Sequence, residues 1–124
     1  MNILRLSCFI FTINVDYAYQ CNDILYHTAF LLLTCFSVAR RWCCEDDYAI
    51  QLVDKVVAHA CCGLCAWTHL ITHPNVPGAA CLATVVLLWI SEFHQRDWQT
   101  THCALHIISC IGTNLAISQR SKSV

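Results

Sequence analysis

A chain of 124 residues that is 57% hydrophobic and only 12% charged, with three Gly and two Pro, is more apolar and less charged than an ordinary soluble domain. Seven Lys and Arg against eight Asp and Glu leave a net charge of −1, which offers no basic surface to a nucleic-acid backbone and argues against such a partner. The composition points instead to a membrane.

Eleven cysteines would make a disulfide scaffold in a small, polar, secreted chain. Here Cys35, Cys61, Cys62, Cys65, Cys81, Cys103 and Cys110 lie within apolar runs, where a free thiol acts as a small packing residue. The odd total leaves at least one thiol unpaired within the chain.

In chain order, the first apolar run covers residues 3–19. Arg5 precedes most of its apolar residues, as in a signal-peptide core, but no small-residue cleavage site follows, and a membrane helix with an awkward Asp16 is the other reading. Four further runs cover residues 24–39, 48–72, 78–93 and 101–117. They are separated by "RRWCCEDD", "HPNVPG" and "HQRDWQ", which have the charges or prolines to end a helix near headgroups, with Trp42 and Trp98 as interfacial anchors. The expected fold is all-α, a polytopic transmembrane bundle of four to five helices in one domain covering residues 1–124, with residues 118–124 a polar tail. Several runs are near the short end for a ~30 Å hydrocarbon core, so tilt or a thin bilayer is expected. Alternation of the helices puts Arg40, Arg41 and Arg96 on one side and Arg5, Arg120 and Lys122 on the other, an even split that leaves orientation open. With little surface buried between short helices, association with a second copy is expected.

The polar residues inside the runs are the functional candidates, because an ionisable group at bilayer depth costs a few kcal/mol and marks a site by default. At about 100° per residue, His102, His106, Ser109 and Thr113 share a stripe about 60° wide. The same construction puts Asp54, Cys61, Cys65, Thr68 and Thr72 on one stripe of the 48–72 run. Imidazoles at i and i+4 can direct nitrogens at one Zn²⁺, and a third ligand plus water completes a tetrahedron. They can equally hydrogen-bond between helices or sit at the membrane surface. His27, with Asp23 one turn before it, is the best third ligand; His59, His69 and His73 compete, and His94 lies in a charged loop. "CCGLC", holding Cys61, Cys62 and Cys65, has a Cys-x-x-Cys spacing that admits a soft metal or redox exchange as well as plain packing beside Gly63.

Taken in order, "LYHTAF", "EDDYAIQLVDKVVA" and "THCALHIISCIGT" resemble three elements of the superfamily of alkaline ceramidases, progestin and adiponectin receptors and myomaker-like membrane proteins. "YAIQLVD" and "THCALHIISCIG" look most similar to the myomaker-like branch. The resemblance implies a zinc ion held by His27, His102 and His106, with Asp54 as general base, and hydrolysis of a membrane-lipid amide or ester by zinc-activated water. The superfamily pattern has a serine four residues before the first histidine, where this chain has Asp23, and a seven-helix core where four or five helices fit here. Two other functions fit the residues: a non-catalytic membrane helix bundle acting by helix packing or partner binding, and a metal carrier or redox protein built on Cys61, Cys62 and Cys65; the partners expected in the membrane are lipid, a second copy or another membrane protein. Convergence separates them, because zinc hydrolysis needs His27 beside His102 and His106.

Overall fold

Polar caps set where the helices of this chain begin. The structure, a computed structural model, describes residues 3–122. Helices α1 (Ile3–Ser7) and α2 (Phe11–Gln20) are joined by a 3₁₀ turn, Cys8–Ile10, into a first rod. Asn22 then takes a positive φ of 56°, a left-handed conformation that asparagine tolerates, and turns the chain back. Asp23 caps α3 (Ile24–Val38) by accepting from the Tyr26 N–H, and Asp47 caps α4 (Tyr48–Trp67) by accepting from the Ala49 and Ile50 N–H groups. Asn75 caps α5 (Val76–Glu92), with Pro77 in the first turn where its missing N–H costs nothing. Helix α6 (Trp98–Lys122) follows a short polar turn. Both α3 and α4 widen into a π turn at their ends, at Ala39–Cys43 and Thr68–Thr72.

Cross-helix bonds fix the directions. Ser7 meets His106, Asn14 meets Asn114 and Asp23 meets Arg120, so the first rod runs alongside α6 in the same sense. Tyr26 with Thr68 and Ser37 with Asp54 make α3 and α4 antiparallel, while Glu92 with His102 makes α5 antiparallel to α6. The bundle therefore has one end built from Ser7, the end of α3, the start of α4 and the start of α6, and another built from the α2–α3 turn, the α4–α5 turn and Arg120. Arg5 belongs to the first end, where it pairs with Glu45 at 3.3 Å and its carbonyl accepts from the Trp42 indole. The expected even split of basic residues is corrected accordingly, because the first rod starts at the end where α3 finishes. Residues 118–122, expected as a polar tail, continue α6; residues 123–124 of that tail lie outside the described residues.

The fold is all-helical, with no strand among the described residues. By length and composition, one helix is long and apolar enough to cross a membrane: Tyr48–Thr72, 25 residues with a mean hydropathy of 1.4. It is about 38 Å long, more than a ~30 Å hydrocarbon core requires. Helix α5 is apolar but has 17 residues, and α6 is long but carries too many polar side chains. Only 17% of the apolar window of Tyr48–Thr72 is buried, so its apolar side chains face outward rather than into a core.

Where the rods do pack, small and aromatic residues form the core. Phe11, Ala18, Tyr26, Phe30, Ala116 and Ile117 are buried together where α2, α3 and α6 meet. The Tyr26 hydroxyl stands 2.6 Å from Thr68 Oγ1 and donates to the Leu64 carbonyl at 3.1 Å, tying α3 to α4. Asn14 Nδ2 donates to the Cys110 carbonyl and to Asn114 Oδ1, joining α2 to α6.

His69 locks the other end. Its Nε2 donates to the Gly112 carbonyl at 2.8 Å, its Nδ1 accepts from Asn75, and its ring fills the space in front of Gly78, where a Cβ would overlap it. Gly78→Ala should therefore displace His69 and cost about 3 kcal/mol, from overpacking and from an orphaned buried carbonyl. Gly63 faces open space in the middle of α4, so Gly63→Ala should be neutral or stabilising by up to about 1 kcal/mol. Denaturant titration of both variants in detergent, followed by circular dichroism, checks the pair.

Candidate functional site

An apolar cavity of about 590 Å³ lies between α4 and the α5–α6 pair. Its walls include Phe30, Leu33, Leu82, Val85, Trp89, Leu105 and Ile108, and one end is closed by His69, Gly78 and Gly112. The opposite end is polar. There Ser37, Arg40, Arg41, Asp54, Glu92, Trp98, His102 and His106 line it.

Asp54 and the two α6 histidines thus belong to one site, as their helical spacing requires. On α4, Asp54, Cys61, Cys65 and Thr68 are buried as a stripe, while Thr72 at its end is exposed. Asp54 lies opposite Ser37 because residues on either side of an antiparallel helical hairpin face each other at matched distances from the turn. Ser37 donates to Asp54 Oδ1 at 2.8 Å, and Arg40 Nη1 donates to Oδ2 at 2.9 Å. Both carboxylate oxygens are therefore engaged before any ligand enters, and the ion pair is largely shielded from solvent.

His102 and His106 stack edge to face with ring centroids 4.5 Å apart. The Nδ1 of His102 lies 2.9 Å from the Glu92 carboxylate, and the Nδ1 of His106 lies 2.9 Å from Ser7 Oγ. Neither Nε2 makes a hydrogen bond among the described residues. A carboxylate on one nitrogen that leaves the other open is the arrangement by which proteins orient a metal-binding imidazole.

His27 is not brought to this pair. Its Nδ1 donates to the Val15 carbonyl at 3.0 Å and its ring packs on Tyr19, in the first turn of α3 after Asp23. Asp23 is bound to Arg120, 14 residues beyond His106 on α6, which puts His27 on the order of 20 Å from the pair at the opposite end of the bundle. The alternation of rods causes this, since α3 begins where α2 ends. Among the described residues, no three His, Cys, Asp or Glu side chains are arranged to hold one metal ion. Of the competing histidines, His69 has both ring nitrogens occupied, whereas His59 lines the cavity with its Nδ1 on the Lys55 carbonyl.

Arg41 lines the same polar end of the cavity as His102 and His106. Its guanidinium carbon lies 5.6 Å from the Trp98 ring centre, and it makes no hydrogen bond or ion pair among the described residues. Burial, and then the neighbouring Arg40, hold its guanidinium below the ordinary arginine value. The thiols are packing groups here: Cys61 meets the Ala29 carbonyl and Cys65 meets Thr113 Oγ1, each at 3.5 Å, and all eleven cysteines are free.

Sequence reasoning missed Ser37, Arg40, Arg41 and Glu92, because they lie at helix ends that read as headgroup-facing clusters. The signal was present: Ser37, Arg40 and Arg41 stand at i, i+3 and i+4, one helical face just before a turn. No family model matches the chain, and neither curated proteins nor solved structures show a significant similarity to it.

The Asp54 carboxylate and Arg40 should depend on each other. Asp54→Ala strands a shielded guanidinium and should cost about 3 kcal/mol, whereas the double change Asp54→Leu/Arg40→Leu should recover most of that loss. A double-mutant cycle on unfolding free energies measures the coupling.

Proposed function

We propose that this chain is a multi-pass integral membrane protein that binds a lipid-like amphiphile in the cavity between α4 and α5–α6 without hydrolysing it. The carrying observation is an apolar cavity of about 590 Å³ with a charged cluster confined to one end, within the size range of small-ligand sites. The outward-facing apolar surface of Tyr48–Thr72 supports a lipid surround, and so do exposed Leu31, Leu32, Leu87 and Ile90 on α3 and α5. Tilt or local thinning accommodates the shorter helices. Arg5, Arg40, Arg41 and Arg96 cluster toward one end, which by the positive-inside rule faces the cytoplasm.

The superfamily resemblance is read differently once the site is assembled. The serine that pairs with the helix-borne aspartate is Ser37, not the residue at position 23, and four residues after it stands Arg41 where the superfamily pattern has a histidine. The residues present do not fit the catalytic zinc that the resemblance implies. Two imidazoles remain, His27 is remote, Asp54 is held by Arg40, and Arg41 brings a fixed positive charge to the same end of the cavity. The reading is therefore a diverged relative that retains the lipid cavity and has exchanged the metal centre for a cationic one.

Native mass spectrometry of detergent-purified protein, with elemental analysis of the same sample, tests this. A single-chain lipid should co-purify and be lost on filling the cavity with Leu105→Trp, and zinc should stay far below one ion per chain in native protein and in His102→Ala/His106→Ala alike. About one zinc per chain, lost in the histidine variant, would restore the hydrolase reading.

A further inference from the structure

Arg41 is a guanidinium of the cavity's polar end that makes no hydrogen bond or ion pair among the described residues. Arg40 is satisfied by Asp54 and Glu92 by His102, both at 2.9 Å. Lys55 also lines the cavity, so its lining holds Arg40, Arg41 and Lys55 against Asp54 and Glu92. The lining is one positive charge in excess if the histidines are neutral. A guanidinium carries five N–H donors, and those of Arg41 bond to no protein acceptor. A cation–π contact with Trp98, 5.6 Å from the ring centre, takes up none of those N–H groups, which are the ones that bind an oxyanion in pairs.

Resting on the lipid-binding reading above, we propose that Arg41 is the head-group site of the cavity, and that the ligand is a single-chain amphiphile with an anionic carboxylate or phosphate head. The head lies against the Arg41 N–H groups beside Trp98, at the polar end that His102 and His106 also line. The chain runs along Leu105 and Ile108 toward Gly112, a distance of about 15 Å on α6 from His102. A volume of about 590 Å³ suits one chain rather than two. Two features make the arginine selective. Its charge is fixed at any physiological pH, so the site does not switch with protonation, and its neighbour Arg40 is already neutralised, so a ligand does not compete with Asp54 for it.

The test is equilibrium binding of tritiated oleate, oleoyl lysophosphatidate and oleyl alcohol to the full chain in detergent, for the native protein and for Arg41→Gln and Arg41→Lys. Native protein should prefer one or both anions over the alcohol by about tenfold or more, the worth of a charge-assisted hydrogen bond. Which anion is preferred assigns the head as carboxylate or phosphate. Arg41→Gln should bind the alcohol as before and lose the preference, and Arg41→Lys should keep part of it. Equal affinity of the native chain for anion and alcohol, or a preference that survives Arg41→Gln, overturns the head-group assignment and leaves the cavity reading standing. Binding of none of the three probes overturns the cavity reading itself. Should Arg41→Gln fail to fold, Arg41→Lys decides, since the loss of the planar fork must weaken the preference several-fold and an unchanged preference overturns the assignment.

Discussion

A single helix, α6, gives every other helix a polar partner. His106 meets Ser7 at the end of α1, the Cys110 carbonyl and Asn114 take both donors of Asn14 on α2, and Arg120 holds Asp23, the cap of α3. Thr113 meets Cys65 of α4, and His102 meets Glu92 of α5. In apolar surroundings, hydrophobic burial distinguishes poorly between one packing and another, so polar bonds of this kind set register and direction. With these bonds spread along 19 residues of α6, from His102 to Arg120, neither the first rod nor α3 can slide without breaking several at once. The position of the cavity follows: α4 is tied to α6 near Thr113 and to α3 near Ser37, and the space between those two anchors is left unfilled.

The charges at the open end follow from the hairpin between α3 and α4. Asp54 can reach Ser37 and Arg40 because the π turn Ala39–Cys43 keeps the arginines in helical continuity with α3 until the chain turns. A widened turn also changes which face successive residues occupy, and two adjacent arginines end up with different partners, a carboxylate for Arg40 and an indole for Arg41. The contrast matters energetically. A guanidinium paired with a carboxylate in a low-dielectric environment is close to self-sufficient, whereas one resting on an aromatic ring retains most of its unmet hydrogen-bonding capacity.

Much of this was legible in the sequence. Helical periodicity put His102, His106 and Asp54 on inward faces because a polar stripe in an apolar helix has one stable place to go, and all three line one cavity. The helix ends were legible for the same kind of local reason, since Asp23, Asp47 and Asn75 are capping residues and Pro77 belongs to a first turn. His27 failed because proximity to a motif does not carry depth along a bundle. Its helix starts at the far end, a fact contained in the alternation of the rods and not in the histidine's own neighbourhood. Arg40 and Arg41 were missed for the opposite reason: charge beside a turn was read as lying near headgroups, when an antiparallel hairpin turns one of those faces toward the next helix, and Ser37 shares that face from inside an apolar run.

The paired histidines and the arginine bear on one another in a way that helps to define the chemistry of the site. The two open imidazole nitrogens, oriented by Glu92 and Ser7, would suit a cation if nothing else shared the space. A fixed guanidinium in the same cavity opposes a divalent ion and attracts an anion, and protein groups shield this interaction less than bulk water would. A neutral His102 whose Nδ1 donates to Glu92 presents a lone pair at Nε2, so the N–H donors available to an anion at this end are those of the arginine. On the proposed reading, selectivity at this end of the cavity is set by Arg41, and the histidines mark the place without supplying the charge that an anion needs.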